Sequence, residues 1–416
     1  MHYVILGASA AGISAARAVR RHDPDGEITM VAADRQVYSR CLLPRIISSE
    51  RTEAEISFVE KDFFDRLKID FLPGCRVVRV KPDTREVVLQ DGRVLGYDRL
   101  LVATGASPTL PPVENLNRAR PVFTLRHLED ALAIKGAVGA GTRVAVLGGG
   151  LVGLEAAEAL LTRGAKVTVI ELAPRLLPLQ LDATAAAVYE KLFRERGAEI
   201  ITGQGAYRVE LEGDLVRALV LNDGTIVPCH VILVAAGVRP NVDFLEGTGV
   251  AMNRGIVVDR HMRTSQPDIY AAGDVCESME AFTGRVSPTP IWPAAVIQGR
   301  VAGMNMAGVE AEAPDIFACQ NAMTFFQVPT IACGRPDPPE EGCRVETACW
   351  PGGYRKVIRS GNRLHGAILQ GDIAGAGVFN ALTGQKVDIS GLPGSLLTIT
   401  YAPFFRMKAD GSFSYK

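Results

Sequence analysis

Three sets of residues in this sequence have the types and spacing to do chemistry: two glycine-rich turns and a cysteine shortly after the first. The second turn, Gly148-Gly149-Gly150-Leu151-Val152-Gly153, follows the apolar run Arg143–Leu147 and opens a helical stretch, Leu151–Arg163. Glycines at Gly148, Gly150 and Gly153 permit a tight turn and close backbone approach, so the helix N-terminus can hold a pyrophosphate. Glu171 ends the next apolar run, where a carboxylate accepts hydrogen bonds from adenosine ribose hydroxyls. A carboxylate there repels a 2′-phosphate and favours NADH, while Arg175, four residues on, leaves NADPH open. The first turn, Gly7-Ala8-Ser9-Ala10-Ala11-Gly12, carries Ser9 in the middle glycine position, small enough for close approach and able to donate to phosphate. Asp34 is the candidate ribose partner of that turn. Cys41, in Tyr38-Ser39-Arg40-Cys41-Leu42-Leu43-Pro44, is expected at a helix start beside Arg40. Both the dipole and the guanidinium would favour its thiolate.

The elements that must position these residues form two strand–turn–helix–strand units. The first runs Tyr3–Leu6, Ile13–Arg21 and Ile28–Val31; the second runs Arg143–Leu147, Leu151–Arg163 and Lys166–Ile170. Each is a βαβ half of a doubly wound parallel sheet. Leu100–Gly105 and Val231–Gly237 are buried strands ending in tight turns, and Pro108, Pro111 and Pro112 mark a linker. From about Asp315 short strands are expected at Phe325–Val328, Arg355–Ile358 and His365–Leu369. The fold class is α/β: two doubly wound Rossmann-like dinucleotide-binding domains, one inserted in the other, plus a C-terminal α+β domain. The boundaries are 1–112 and 242–314 for the first domain, 113–241 for the inserted one and 315–416 for the last.

Composition sets further bounds. At 416 residues the chain exceeds one ordinary core. Its 47% hydrophobic and 22% charged content is globular, and a formal net charge of -1 points to neither nucleic acid nor an acidic membrane surface. The N-terminal run lacks the charged region and cleavage site of a signal peptide, and no apolar run reaches the ~18 residues of a bilayer span. Eight scattered cysteines without a C-x-x-C pair suggest thiols in a reducing cytoplasm. Cys319, Cys333, Cys343 and Cys349 are spaced too widely and irregularly for a compact zinc or iron–sulfur signature, so no metal is expected. Cys229-His230 is expected to pack beside the strand that follows it.

A third segment raises a resemblance. Thr264-Ser265-Gln266-Pro267-Asp268-Ile269-Tyr270-Ala271-Ala272-Gly273-Asp274 resembles the second FAD signature of the pyridine nucleotide–disulfide oxidoreductase superfamily. Ala103-Thr104-Gly105 and Ala236-Gly237-Val238-Arg239-Pro240-Asn241 resemble its two domain-crossover motifs. The order is kept over nearly the whole chain. The resemblance implies an enzyme, an FAD-dependent NAD(P)H oxidoreductase. FAD would lie on Gly7, Ser9, Ala10, Ala11 and Gly12 with Asp34, Arg40, the crossover residues and the Gly273-Asp274 turn. The nicotinamide cofactor would lie on Gly148, Gly150, Val152, Gly153 and Glu171. Glu155 resembles the glutamate that faces the nicotinamide, although a carboxylate near a helix N-terminus also stabilises the helix. Trp292 falls where the family chain passes the isoalloxazine, a place a core aromatic also fills.

Two branches of the superfamily fit the residues around Cys41. The single cysteine, in place of a C-x4-C dithiol, resembles coenzyme A disulfide reductases, NADH oxidases and peroxidases, and polysulfide reductases, whose lone thiol works beside the flavin. Tyr38-Ser39-Arg40 with Leu43-Pro44 also resembles rubredoxin-reductase and nitrite-reductase-like flavoproteins, which need no thiol. Two other stretches, Pro288–Pro293 with Gln298–Gly303 and Leu364–Asp372, resemble that NADH:acceptor branch, including flavin subunits of iron–sulfur dehydrogenases. Tyr401-Ala402-Pro403-Phe404-Phe405 weakly resembles a coenzyme A disulfide reductase stretch, with a departure at its second aromatic. The expected partner is an iron–sulfur or rubredoxin-type protein, or a second copy of the chain. A flavin redox sensor without turnover is the alternative from outside the enzymes.

Overall fold

The computed structural model describes every residue except 281–283, 285, 315–319, 340–341, 393, 410–411 and 416, with backbone alone at 405–406 and 413–415. The chain divides into two contact units. The first comprises Met1–Pro111, Thr124–Ala137 and Ala236–Ala318; the second comprises Pro112–Phe123, Val138–Ala235 and Cys319–Lys416.

In the first unit a five-stranded parallel sheet runs in the order Ile269–Ala271, Arg99–Val102, His2–Leu6, Glu27–Ala32, Ile69–Pro73. Its three central strands are nearly continuous runs of buried residues, mostly apolar, as a sheet covered on both faces requires. The helix Ala10–His22 returns the chain between the first two strands. Its buried face is mostly alanine, and Arg20, Arg21 and His22 complement the dipole at its end. Small residues let a second helix, Trp292–Met306, press directly against it: a Cβ on Gly299 or Gly303 would collide with the Ala11 or Ala15 carbonyl oxygen. That contact sets the height of the first turn. The crossovers pair as two short antiparallel strands, Ala106–Pro108 and Val238–Pro240.

The second unit repeats the plan. Its sheet runs Glu199–Thr202, Lys166–Glu171, Arg143–Leu147, Val231–Val234, Val122–Thr124, with the helix Leu151–Thr162 making the crossover between Arg143–Leu147 and Lys166–Glu171. The chain beyond 320 belongs to this unit. It forms an antiparallel sheet in the order Gln320–Phe325, Val328–Gly334, Arg363–Gln370, Gly353–Ser360, Arg344–Trp350, backed by the helix Ala376–Gly384. The expected strand Phe325–Val328 is instead a hairpin tip. Phe326 and Gln327 both take positive φ (47° and 68°), the backbone twist a two-residue hairpin demands. The Glu158 carboxylate holds that tip by accepting from the Phe326 N–H at 2.8 Å.

A buried ion pair fastens this sheet to the helix Ala183–Glu195. Asp182 caps the helix, accepting from the Ala185 N–H, and also accepts from the Tyr354 hydroxyl at 2.7 Å and Lys356 Nζ at 2.9 Å. Burial alone would raise the Asp182 pKa; these donors and the ammonium charge lower it. Removing one partner of such a pair costs about 3–5 kcal/mol, because the other is left charged and buried. Phe325 fills the remaining space against Tyr189 and Phe193.

Candidate functional site

The first turn is built by crowding. The Gly7 N–H donates to the Val31 carbonyl at 2.7 Å, and the turn is so tight that a Cβ on Gly12 would collide with the Gly7 carbonyl oxygen. Ser9 caps the helix through its extended backbone, yet its hydroxyl makes no cap hydrogen bond. Ala10 and Ala11 are buried in the first helical turn. The Gly273-Asp274 turn lies against it, since a Cβ on Gly273 would stand 3.1 Å from the Ala11 Cβ. Gln298, fully buried, fixes that turn by accepting from the Gly273 N–H at 2.8 Å and donating to Ser278. Ala103, Thr104 and Gly105 complete the rim. Thr104 and Asn241 exchange hydrogen bonds at 2.9 and 3.0 Å, and Gly237 accepts from the Thr109 N–H.

Asp34 lies just past the strand Glu27–Ala32, at the centre of a cluster of donors. It accepts from Arg40 Nη2 at 2.6 Å, His127 Nδ1 at 2.8 Å and the Tyr38 hydroxyl at 3.1 Å. Burial opposes its charge, but the His127 hydrogen bond and the Arg40 guanidinium hold its carboxyl well below the usual carboxylate range. Three protein donors occupy a group with about four acceptor sites, which leaves room for one ribose hydroxyl. Arg126 and His127 escape a motif reading because they lie in neither turn. Their local signal is Asp130, whose carboxylate accepts from both backbone N–H groups at 2.9 Å, half of a capping box for the helix Leu128–Ala137. That turn aims Arg126 Nη2 at Asp274 Oδ2, 2.8 Å away.

Arg40 Nε and Arg126 Nε are buried without a hydrogen-bond partner. Buried donors of this kind are expensive unless a ligand accepts from them. Orphaned guanidinium donors, a Ser9 hydroxyl that makes no cap bond and accepts only a long 3.5 Å contact from Arg40 Nη1, and a helix N-terminus together fit the diphosphate and ribityl groups of FAD.

Cys41 is exposed, in a three-residue turn, Arg40–Leu42, ahead of the five-residue helix Leu43–Ile47. The Arg40 guanidinium beside it in the chain pairs with Asp34 and lies over the Tyr38 ring. Trp292 opens the helix Trp292–Met306, half-buried, with its ring edge-on to Phe58 at 4.9 Å.

The second turn uses the same backbone device. The Gly148 N–H donates to the Ile170 carbonyl at 2.8 Å, and a Cβ on Gly153 would collide with the Gly148 carbonyl oxygen. A Cβ on Gly150, at the cap of the helix Leu151–Thr162, would meet nothing, and Val152 beside it is exposed. Glu171 is held by backbone donors alone, Gly149 N–H and Ala173 N–H, both at 2.7 Å. One carboxylate oxygen is thus presented at the turn with lone pairs to spare, which fits an adenosine ribose. Glu155 is half-buried on the helix. Arg175 does not reach toward this acid. It donates to the carbonyls of Leu181 (2.8 Å) and Pro178 (3.2 Å) and pairs with Asp337 at 2.6 Å.

The other cysteines are placed as bystanders. Burial pushes the Cys276 thiol up to about 12, and Cys229 likewise to about 12. Cys229 packs as expected, whereas its neighbour His230 is exposed and meets Arg143. Cys333 is buried, Cys343 half-buried and Cys349 exposed; Cys319 lies outside the described residues. Among the described residues no group of three or more His, Cys, Asp or Glu side chains is placed to hold a metal ion. Nor is any helix among them long and apolar enough to cross a membrane.

Two glycine turns on two parallel sheets, the first fitted for FAD and the second for NADH, define an FAD-dependent NAD(P)H oxidoreductase. The chain belongs to the pyridine nucleotide-disulphide oxidoreductase family, whose model matches residues 1–299. It is 37% identical over 342 residues to the NADH-dependent phenylglyoxylate dehydrogenase subunit epsilon of Aromatoleum evansii, a match covering 82% of this chain and 80% of that one. Among solved structures it is similar to the covalent putidaredoxin reductase–putidaredoxin complex, with a TM-score of 0.81, 27% identity and coverage of 92% and 93% of the two chains. It is also similar to an NAD-dependent persulfide reductase from A. fulgidus, with a TM-score of 0.82, 30% identity and coverage of 92% and 76%.

Proposed function

We propose that this enzyme moves electrons between NADH, bound at the second turn, and an iron–sulfur or rubredoxin-type protein, by way of FAD bound at the first. The observation that carries the acceptor is in the sequence around Cys41: no second cysteine stands at the C-x4-C spacing of a dithiol relay. A dithiol–disulfide relay has no second thiol there to resolve it, which favours direct transfer to a protein-borne centre. The likeness to a dehydrogenase subunit and to a reductase captured with its redox partner supports the same reading. FAD, when bound, supplies the exchange of a hydride for single electrons. The chain's share is placement: Gly12, Ser9, Arg40, Arg126 and Asp274 hold the cofactor, and Gly153, Glu171 and the helix Leu151–Thr162 hold NADH. Glu155 and Trp292 are assigned to the nicotinamide and the isoalloxazine. As the flavin subunit of a larger complex the enzyme would also run in reverse, reducing NAD.

A division into 1–112 and 242–314 for FAD, 113–241 for NADH and 315–416 for an interface, with a redox partner or a second copy, is supported by the two parallel sheets. The exposed edge strand Arg344–Trp350 supports the interface. A cytoplasmic location is supported by the dependence on NADH. A second reading has Cys41 itself reduce a disulfide, polysulfide or peroxide; its exposure and the likeness to a persulfide reductase favour it. The two separate on Cys41→Ser. The first reading expects the variant to reduce a ferredoxin or rubredoxin with NADH at the wild-type rate. If the wild type reduces a disulfide or polysulfide with NADH and the variant does not, the second reading stands.

A further inference from the structure

We propose that Asp337 sets the preference for NADH over NADPH by holding Arg175 away from the adenosine end of the second turn. The proposal rests on the reading that Glu171 binds the adenosine ribose. NADPH adds to that ribose a phosphate that Glu171 repels and that a nearby arginine can accommodate. Arg175, four residues past Glu171, is the cation the chain supplies in the right stretch of sequence. Its side chain is nevertheless engaged in three directions: Nε to the Leu181 carbonyl, and Nη2 to both the Pro178 carbonyl and Asp337 Oδ2. Two of these are neutral and local. The Asp337 contact, at 2.6 Å, carries the opposing charge.

Asp337 is a fixed anchor rather than a chance surface contact. The adjoining Pro336 carbonyl accepts from the buried Lys356 Nζ at 2.8 Å, and that ammonium is itself held by Asp182. The other end of the tether is fixed as well. The Leu177 N–H donates to the Gly149 carbonyl at 2.9 Å, tying the segment that carries Arg175 to the glycine turn. Arg175 therefore sits between two anchored points, and moving to a 2′-phosphate means giving up a charged partner. Selectivity against NADPH has two parts: Glu171 repels the phosphate, and Asp337 occupies the cation that would offset the repulsion.

The test compares Asp337→Ala, Arg175→Ala and the double variant in the FAD-loaded protein, with dissociation constants for NADPH and NADH measured by calorimetry at low ionic strength. Asp337 is more than half exposed, so truncation leaves no cavity. Freeing Arg175 from an ion pair of this exposure is expected to tighten NADPH binding about fivefold, with NADH changed less than twofold. The gain must vanish in the double variant. The proposal is overturned if Asp337→Ala leaves NADPH affinity unchanged, or if the gain survives without Arg175. Glu171→Ala tests the underlying reading separately: it should weaken NADH about tenfold or more, and unchanged NADH affinity would sink the site reading itself.

Discussion

The two glycine turns share one backbone and differ in what surrounds their acids. In both, the first glycine N–H donates to the neighbouring strand and the last glycine has no room for a Cβ against the first one's carbonyl. Around the first turn, Asp34 and Asp274 are each paired with guanidinium or imidazole groups, and two arginine Nε atoms are buried without acceptors. Around the second, Glu171 is held by backbone N–H groups and the nearest arginine in sequence is tied to Asp337. Guanidinium Nε–H groups that lack acceptors until a diphosphate arrives suit a cofactor that stays. An acid held by neutral donors suits a nucleotide that must leave after each turnover. On the proposed assignment the difference is between a resident group and a co-substrate, written in charge rather than in backbone.

The sharpest way to break this comparison is to block each turn in the same manner. Gly12→Ala should purify without the flavin's visible absorbance, since the added methyl forces the turn apart. Gly153→Ala should stay yellow and lose NADH affinity about a hundredfold, read by calorimetry, for an overpacking cost of about 3 kcal/mol. If both variants lose FAD, the turns do not have separate ligands.

A smaller effect is expected at Asp34. Its folded pKa is depressed, so its contribution to stability is complete above the unfolded value of about 3.9 and is lost as pH falls toward the folded value. Asp34→Asn should therefore cost about 2 kcal/mol in urea unfolding at neutral pH. The gap from wild type should narrow below about pH 4. A gap that stays constant with pH would mean that the charge of Asp34 is not what the cluster uses. The smallest effect belongs to Ser9→Ala, which removes a hydroxyl that has no cap bond to lose. Folding stability should be unchanged within about 0.5 kcal/mol, with FAD held a few-fold more weakly.

Much of this was legible in the residues because it is local. Both turns, the crossover pairs and the Gly273-Asp274 signature are short strings whose glycines must satisfy one backbone geometry wherever they occur. What was not legible depends on partners distant in sequence. Arg40 reads as a neighbour of Cys41, and its pairing with Asp34 is invisible in the sequence; Arg175 reads as leaving NADPH open, and its pairing with Asp337 is equally invisible. His127 carries no motif, and its place beside Asp34 follows only from a capping turn set by Asp130. Phe325–Val328 read as a strand through its aromatic and β-branched content, whereas the hairpin it closes is dictated by the pairing of Gln320–Phe325 with Val328–Gly334.

The central claim is that NADH at the second turn reduces flavin held at the first. Anaerobic titration of the FAD-loaded protein with NADH, following the flavin's visible absorbance, tests it most directly. The account predicts that the wild type bleaches with about one equivalent of NADH, and that Gly153→Ala keeps its colour with NADH but bleaches with dithionite. A wild type that fails to bleach, or a Gly153→Ala protein that bleaches as readily as wild type, would contradict it.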